Sequence, residues 1–143
     1  MSRIHIPAEI RRLVIARAQG CCEYCLLMQA ATDFTLPIDH IAPLKHRGLT
    51  IFENLALACI ECNTNKGSDI AAFDPLTDEV ALLFHPRRQN WFDHFELVGA
   101  TIRGLTPTGR ATAALLQFNV PMRKAERARL LAINFYSSRL PLQ

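Results

Sequence analysis

The chain has 143 residues, of which 50% are hydrophobic and 20% charged, enough for one domain with a real core and too few for two comfortable ones. That composition excludes an intrinsically disordered chain, and no apolar run approaches the roughly 18 residues of a membrane span. The net charge of +3 and pI of about 8.7 are mildly basic, which a solvated surface explains as readily as nucleic acid does.

The opening "MSRIHIPAEIRRLVIARAQG" lacks a continuous apolar core and a small-residue cleavage site, so no signal peptide is read and a cytoplasmic protein is expected. Within it Ile10, Leu13, Val14 and Arg17/Ala18 recur at helical spacing, predicting an amphipathic helix from about Pro7 to Ala18. Pro7 suits its first turn and Gly20 its stop. "FTLPIDHIA", Phe34 to Ala42, predicts a short strand carrying Asp39 and His40, and "PLKHRGLT" a polar, basic loop turned at Gly48. Thr50 and Glu53 have capping-box spacing, which predicts one helical turn around Phe52 to Leu55. "LALAC" is apolar and short enough for a buried second strand, and a helix beginning near Cys62 would carry Asn63 and Lys66.

Beyond Ile70, "FDPLTDEV" reads as a turn, "VALLF" as a strand, and "HFELVGATIRGLT" as a hairpin or bent strand around Gly99. "PTGRATAALLQFN" and "PMRKAERARLLAINF" predict two closing helices separated by Val120-Pro121. The expectation is an α+β protein of one domain, 1–143, with a module at 20–70 and a strand-plus-helix extension at 71–143, because neither side alone could bury much core. From Pro121 onward the basic residues Arg123, Lys124, Arg127, Arg129 and Arg139 face a single acid, Glu126. Such a helix can touch phosphate, or it is a solvated outer face.

The five cysteines, with no export signal, point away from disulfides and toward metal or redox chemistry. Cys22-x-x-Cys25 and Cys59-x-x-Cys62 supply four thiolates, the closed tetrahedral set of a structural zinc site. A thioredoxin-like pair needs no second copy, and iron–sulfur clusters use other spacings. Cys21 could replace Cys22, but the matched two-residue spacers favour Cys22 and leave Cys21 a bystander. The 33 residues between Cys25 and Cys59 exceed an ordinary zinc ribbon, so functional residues are expected in that gap.

There, "CEYC", "IDHIAPLKHRG" and "ENLALACIECNTNKG" together resemble the four-cysteine, zinc-bound members of the HNH endonuclease family over roughly residues 20–70. "DPLTDEVALLFHPR", "WFDHF" and "GATIRGLTPTGRAT" are similar to the tail of stand-alone members. The resemblance implies a ββα-metal fold, in which two strands and a helix clamp one divalent ion. By position, His40 is the implied general base and Asn54 the brace of the loop that orients it. Asp39 and Asn63 are the implied ligands of a catalytic magnesium or manganese ion, with Asn63 standing where most members have histidine. The implied substrate is DNA, double-stranded, cut to leave 5′-phosphate and 3′-hydroxyl ends.

The residue chemistry agrees on its own terms. Phosphodiester hydrolysis needs an activated water and stabilised phosphate charge. A neutral histidine can take the proton, while a carboxylate and an amide oxygen offer hard ligands to a hard cation. Lys45, His46, Arg47 and Lys66 are candidate phosphate contacts. A plainer reading stands beside each: Asp39-His40 as a surface turn, Asn54 as a turn cap, Asn63 as a helix N-terminal residue, and Lys45 to Arg47 as a solvated loop. His85, His94 and Trp91 read as core or surface residues of the extension. Regular alternation would place Asp39 and His40 on opposite faces, so the strand is expected to end, twist or bulge there. The rivals to a nuclease are a non-cleaving, zinc-stabilised nucleic-acid-binding module and a zinc-stabilised interaction protein.

Overall fold

The computed structural model describes residues 5–136, so Arg139 lies outside the described residues. Helix α1 (Ala8–Arg17) follows Pro7 and stops where Gln19 and Gly20 take positive φ, 55° and 68°. The helix buries Val14, and Ala18 at its C-cap is buried as well. Its last residue, Arg17, places the guanidinium 3.8 Å from the Phe52 ring centroid and donates to the carbonyls of Phe52 and Leu55. That contact ties the helix to the start of the second strand.

Strands β1 (Ile38–His40) and β2 (Leu55–Leu57) pair antiparallel, with Ile38, Asp39 and His40 opposite Leu57, Ala56 and Leu55. Helix α2 (Ile60–Lys66) follows directly, so the ββα unit is present. The strand expected over 34–42 is confined to three residues, because Pro37 has no N–H to donate and the chain turns away at Pro43. It ends at His40 without a bulge, and the next ladder bond runs from Ile41 N–H to the Asn54 carbonyl, 2.9 Å. Helix α2 begins two residues earlier than expected because the Cys59 sulfur caps it, accepting from Cys62 N–H at 3.4 Å.

In the extension, β3 (Ala71–Phe73) and β4 (Val80–Leu82) form a hairpin. The partner strand β3 carries no strand signal of its own beyond pairing with β4. Its turn is held by the buried Asp74, which accepts from Leu76 N–H and the Thr77 hydroxyl and takes both Nε and Nη2 of Arg110 at 2.9 Å. A short helix α3 (Trp91–His94) leads into the hairpin β5 (Phe95–Val98) and β6 (Thr101–Gly104), which turns at Gly99 with φ of 59°. Helices α4 (Pro107–Leu115) and α5 (Pro121–Ala132) close the chain, each with proline in its first turn.

Val14, Tyr24, Leu36, Leu55 and Leu57 share one buried cluster with Trp91, Phe95, Phe118 and Leu130. Each fully buried side chain of this kind is worth about 1.5–3 kcal/mol, so the extension and the cysteine-bearing segment stabilise each other. The basic face expected on α5 is halved: Arg129 stays exposed and Lys124 half-buried, while Arg123 and Arg127 turn inward. Arg127 is only 3% exposed and donates to the Tyr136 hydroxyl and to the carbonyls of Ala100 and Phe118. Arg123 turns inward as well, toward the Leu116 carbonyl. Buried carbonyls claim these guanidinium groups before phosphate could.

Candidate metal centre and active site

The Sγ atoms of Cys22, Cys25, Cys59 and Cys62 all lie within 4.8 Å of one another, and all four residues are buried. A zinc ion with bonds of about 2.3 Å holds tetrahedral sulfurs about 3.8 Å apart, and Cys25 and Cys59 already stand at 3.6 Å. Each pair closes the same knuckle: Cys25 N–H donates to Cys22 Sγ and Cys62 N–H to Cys59 Sγ, both at 3.4 Å. Hydrogen bonds from Cys22, Cys59 and Cys62 hold the Cys25 thiol well below its usual range, whereas burial pushes Cys62 well up. Arg123 Nη2 sits 3.3 Å from Cys62 Sγ and 3.6 Å from Cys59 Sγ, a positive charge against the sulfurs. Four crowded thiols beside a fixed guanidinium fit a thiolate-bound structural metal such as zinc. Cys21 is outside the cluster; it bridges to Met28 and its thiol donates to the Gln19 carbonyl.

Asp39 is 4% exposed. Its Oδ2 accepts from the Tyr24 hydroxyl at 2.7 Å and lies 3.1 Å from Lys66 Nζ, which also reaches Oδ1 at 3.3 Å. The same ammonium donates to the carbonyls of His40 and Ile41, both at 3.2 Å. Burial raises the Asp39 pKa, opposed by Lys66 and by the Tyr24 hydrogen bond. Lys66 therefore corrects an expectation. At 2% exposure it is not a surface contact for phosphate but the internal counter-charge of Asp39. The helix delivers it there because Cys62 and Lys66, one turn apart, share the buried face of α2.

His40 is half-buried, and its Nε2 lies 2.8 Å from the Thr50 hydroxyl. Burial lowers its pKa; Asp39 opposes this and Lys66 adds to it. The loop between them is closed by Asn54, whose Oδ1 accepts from Ala42 N–H at 2.9 Å while Nδ2 donates to the carbonyls of Ala42 at 3.0 Å and Leu49 at 2.8 Å. One side chain thus joins both ends of the loop. Gly48 permits the closure: a Cβ there would stand 1.6 Å from the Ala42 carbonyl oxygen. Lys45, His46 and Arg47 are exposed on this loop, Arg47 in the left-handed region at φ 67°.

Asn63 is half-buried in the second turn of α2, on the face that carries Lys66 one turn later. The N-cap role belongs to Cys59, and the Asn63 amide has no hydrogen bond among the described residues, so it caps nothing. Its oxygen and the Asp39 carboxylate are hard donors that fit magnesium or manganese. A cation on Asp39 would share that carboxylate with Lys66 or replace it.

Sequence reasoning missed three residues here. Thr50 was read as a cap, yet the single turn spans Phe52–Asn54 behind Ile51, and the Thr50 hydroxyl holds His40 instead. Tyr24, inside the first knuckle, was given no role, and Arg123 was placed on a helix that touches phosphate or faces solvent, not against the cysteine sulfurs. The family model described as HNH endonuclease matches residues 22–69. No curated protein and no solved structure matches the chain. An HNH nuclease domain implies a nucleic-acid substrate, and among the described residues no helix is long and apolar enough to cross a membrane.

Proposed function

We propose that this chain, whose residues 22–69 form an HNH endonuclease domain, is a metal-dependent endonuclease that hydrolyses DNA phosphodiester bonds, nicking one strand at a time. The observation that carries this reading is His40, a half-buried imidazole with a lowered pKa, held through Nε2 by Thr50 beside the buried Asp39. When Nε2 donates to the Thr50 oxygen, Nδ1 is the bare nitrogen and takes the proton from water as the water attacks phosphorus. The phosphorus–O3′ bond breaks and the departing O3′ takes a proton from solvent water, leaving 5′-phosphate and 3′-hydroxyl ends. Asp39 and Asn63 would hold a magnesium or manganese ion, which when bound supplies charge for the phosphate and the departing oxygen. Asn54 keeps the loop shut behind His40, the four cysteines would hold a structural zinc, and the exposed Lys45 and Arg47 would meet phosphate from the loop.

One observation favours a second reading, a non-cleaving nucleic-acid-binding module. The Lys66 ammonium already balances the Asp39 carboxylate, where the divalent ion would bind. A plasmid-nicking assay with manganese, magnesium or chelator separates the two. The nuclease reading expects metal-dependent nicking that falls about 100- to 10,000-fold in His40→Ala, the usual worth of a general base, with zinc content unchanged. Nicking by His40→Ala at the wild-type rate, or none by the wild type in any metal, would overturn it.

A further inference from the structure

Between the loop that follows His40 and the turn that follows β4 runs a groove of about 630 Å³. Ala42, Asn54 and Lys66 line one side, and His85 and Arg88 the other. The turn carrying the last two is locked by its own hydrogen bonds. Arg88 and Gln89 N–H donate to the His85 carbonyl at 3.1 and 3.0 Å, and the Gln89 side-chain oxygen accepts from His85 N–H at 2.9 Å. Arg87 N–H donates to His85 Nδ1 at 3.2 Å. With Nδ1 engaged as an acceptor, the neutral ring carries its proton on Nε2, a donor with no partner on any other described residue. The neighbouring Arg87 is committed elsewhere, to the buried Glu23, whereas Arg88 is exposed and in no ion pair among the described residues. Burial and then Arg88 lower the His85 pKa, a hydrogen bond to its own backbone opposes them, and Lys66 adds a smaller lowering, so both sides of the groove contribute positive potential at the ring. The acid on the rim, Glu53, lies within electrostatic reach of Arg17.

We propose that the turn His85–Gln89 is the second wall of the nucleic-acid site, in which His85 Nε2–H and the Arg88 guanidinium grip the phosphodiester backbone flanking the bond presented to His40. This rests on the nuclease reading for the identity of the strand but not for the grip, which is a binding function of the extension. A rigid turn loses little conformational entropy on binding. Arginine and an imidazole N–H both suit phosphate oxygens.

The test is fluorescence anisotropy with an end-labelled DNA duplex and calcium in place of magnesium, over a salt series, for the wild type, Arg88→Gln, Arg88→Glu and His85→Ala. Removing one phosphate contact should lower the slope of log K against log salt by about 1. Arg88→Glu should weaken binding about tenfold or more, His85→Ala several-fold, and Arg129→Glu, on the exposed face of α5, not at all. Wild-type affinity and slope in both Arg88 variants, with zinc content and melting unchanged, would overturn the proposal. Nicking by the wild type is scored separately. Weakened binding by Arg88→Glu without any wild-type nicking keeps the groove and removes the nuclease; intact nicking with unaltered binding does the reverse.

Discussion

The two cysteine knuckles close the same turn with the same 3.4 Å N–H to sulfur bond, yet they face different parts of the molecule. The first, Cys22 to Cys25, is where the extension attaches. Glu23 is paired with Arg87, the Tyr24 carbonyl accepts from Trp91 Nε1 at 2.8 Å, and the Cys25 carbonyl accepts from the Tyr136 hydroxyl. The second, Cys59 to Cys62, opens helix α2, so its sulfur fixes the turn that presents Asn63 and Lys66. A metal held by the four cysteines would therefore join an anchoring turn to a presenting one. The spacing is identical in both; the residues between and after the cysteines decide what each knuckle does.

Breaking the joint itself should have the largest effect. Cys59→Ser removes a ligand and the cap of α2 together, and structural zinc contributes on the order of 10 kcal/mol or more to small folds. Loss of the bound zinc and of cooperative melting is expected, read by metal release and circular dichroism, while Cys21→Ser keeps one zinc per chain and a near-normal curve. Zinc loss on the Cys21 change would mean that the pairing of knuckles is wrong.

Next in size is the anchoring side alone. Arg87→Met leaves the buried Glu23 carboxylate without its arginine, a change that costs about 3–5 kcal/mol when a buried pair is broken. Adding Glu23→Gln should recover part of that, and zinc should stay bound in both. Urea denaturation reads the difference; equal stability of Arg87→Met and the wild type would show that the first knuckle does not hold the extension through this pair.

The presenting side should respond most mildly. Asn63→Ala should raise the manganese concentration for half-maximal nicking about tenfold, the effect of losing about 1.4 kcal/mol, with melting and zinc unchanged. Asn63→His should keep the site usable but move its preference toward nickel, cobalt or zinc, since imidazole is a softer ligand. One common metal profile for all three proteins would remove Asn63 from the metal site.

Much of the module was legible because its signals are local. Two matched spacers identify four sulfurs, an apolar run between cysteines identifies β2, and proline and glycine mark where α1, α4 and α5 begin and the last hairpin turns. The direct Asn63-after-Cys62 step also reads from sequence, since a helix entered from a knuckle must place that residue one turn before Lys66. The hairpin partner β3 was not legible, because Ala71 to Phe73 becomes a strand only by pairing with β4.

What the sequence determined by itself is the inventory: a four-thiolate set, an Asp-His step, the asparagines and an excess of basic side chains. Only the tertiary structure decided where the charges go. Lys66 balances Asp39 across 26 intervening residues, Arg87 balances Glu23 across 63, and Arg123 reaches the sulfur of Cys62 across 60. Arg88, one position from Arg87, stays in the groove with His85. A charged side chain is buried or left for a ligand according to whether a partner lies within about 4 Å once the chain has folded, and no local pattern encodes that distance.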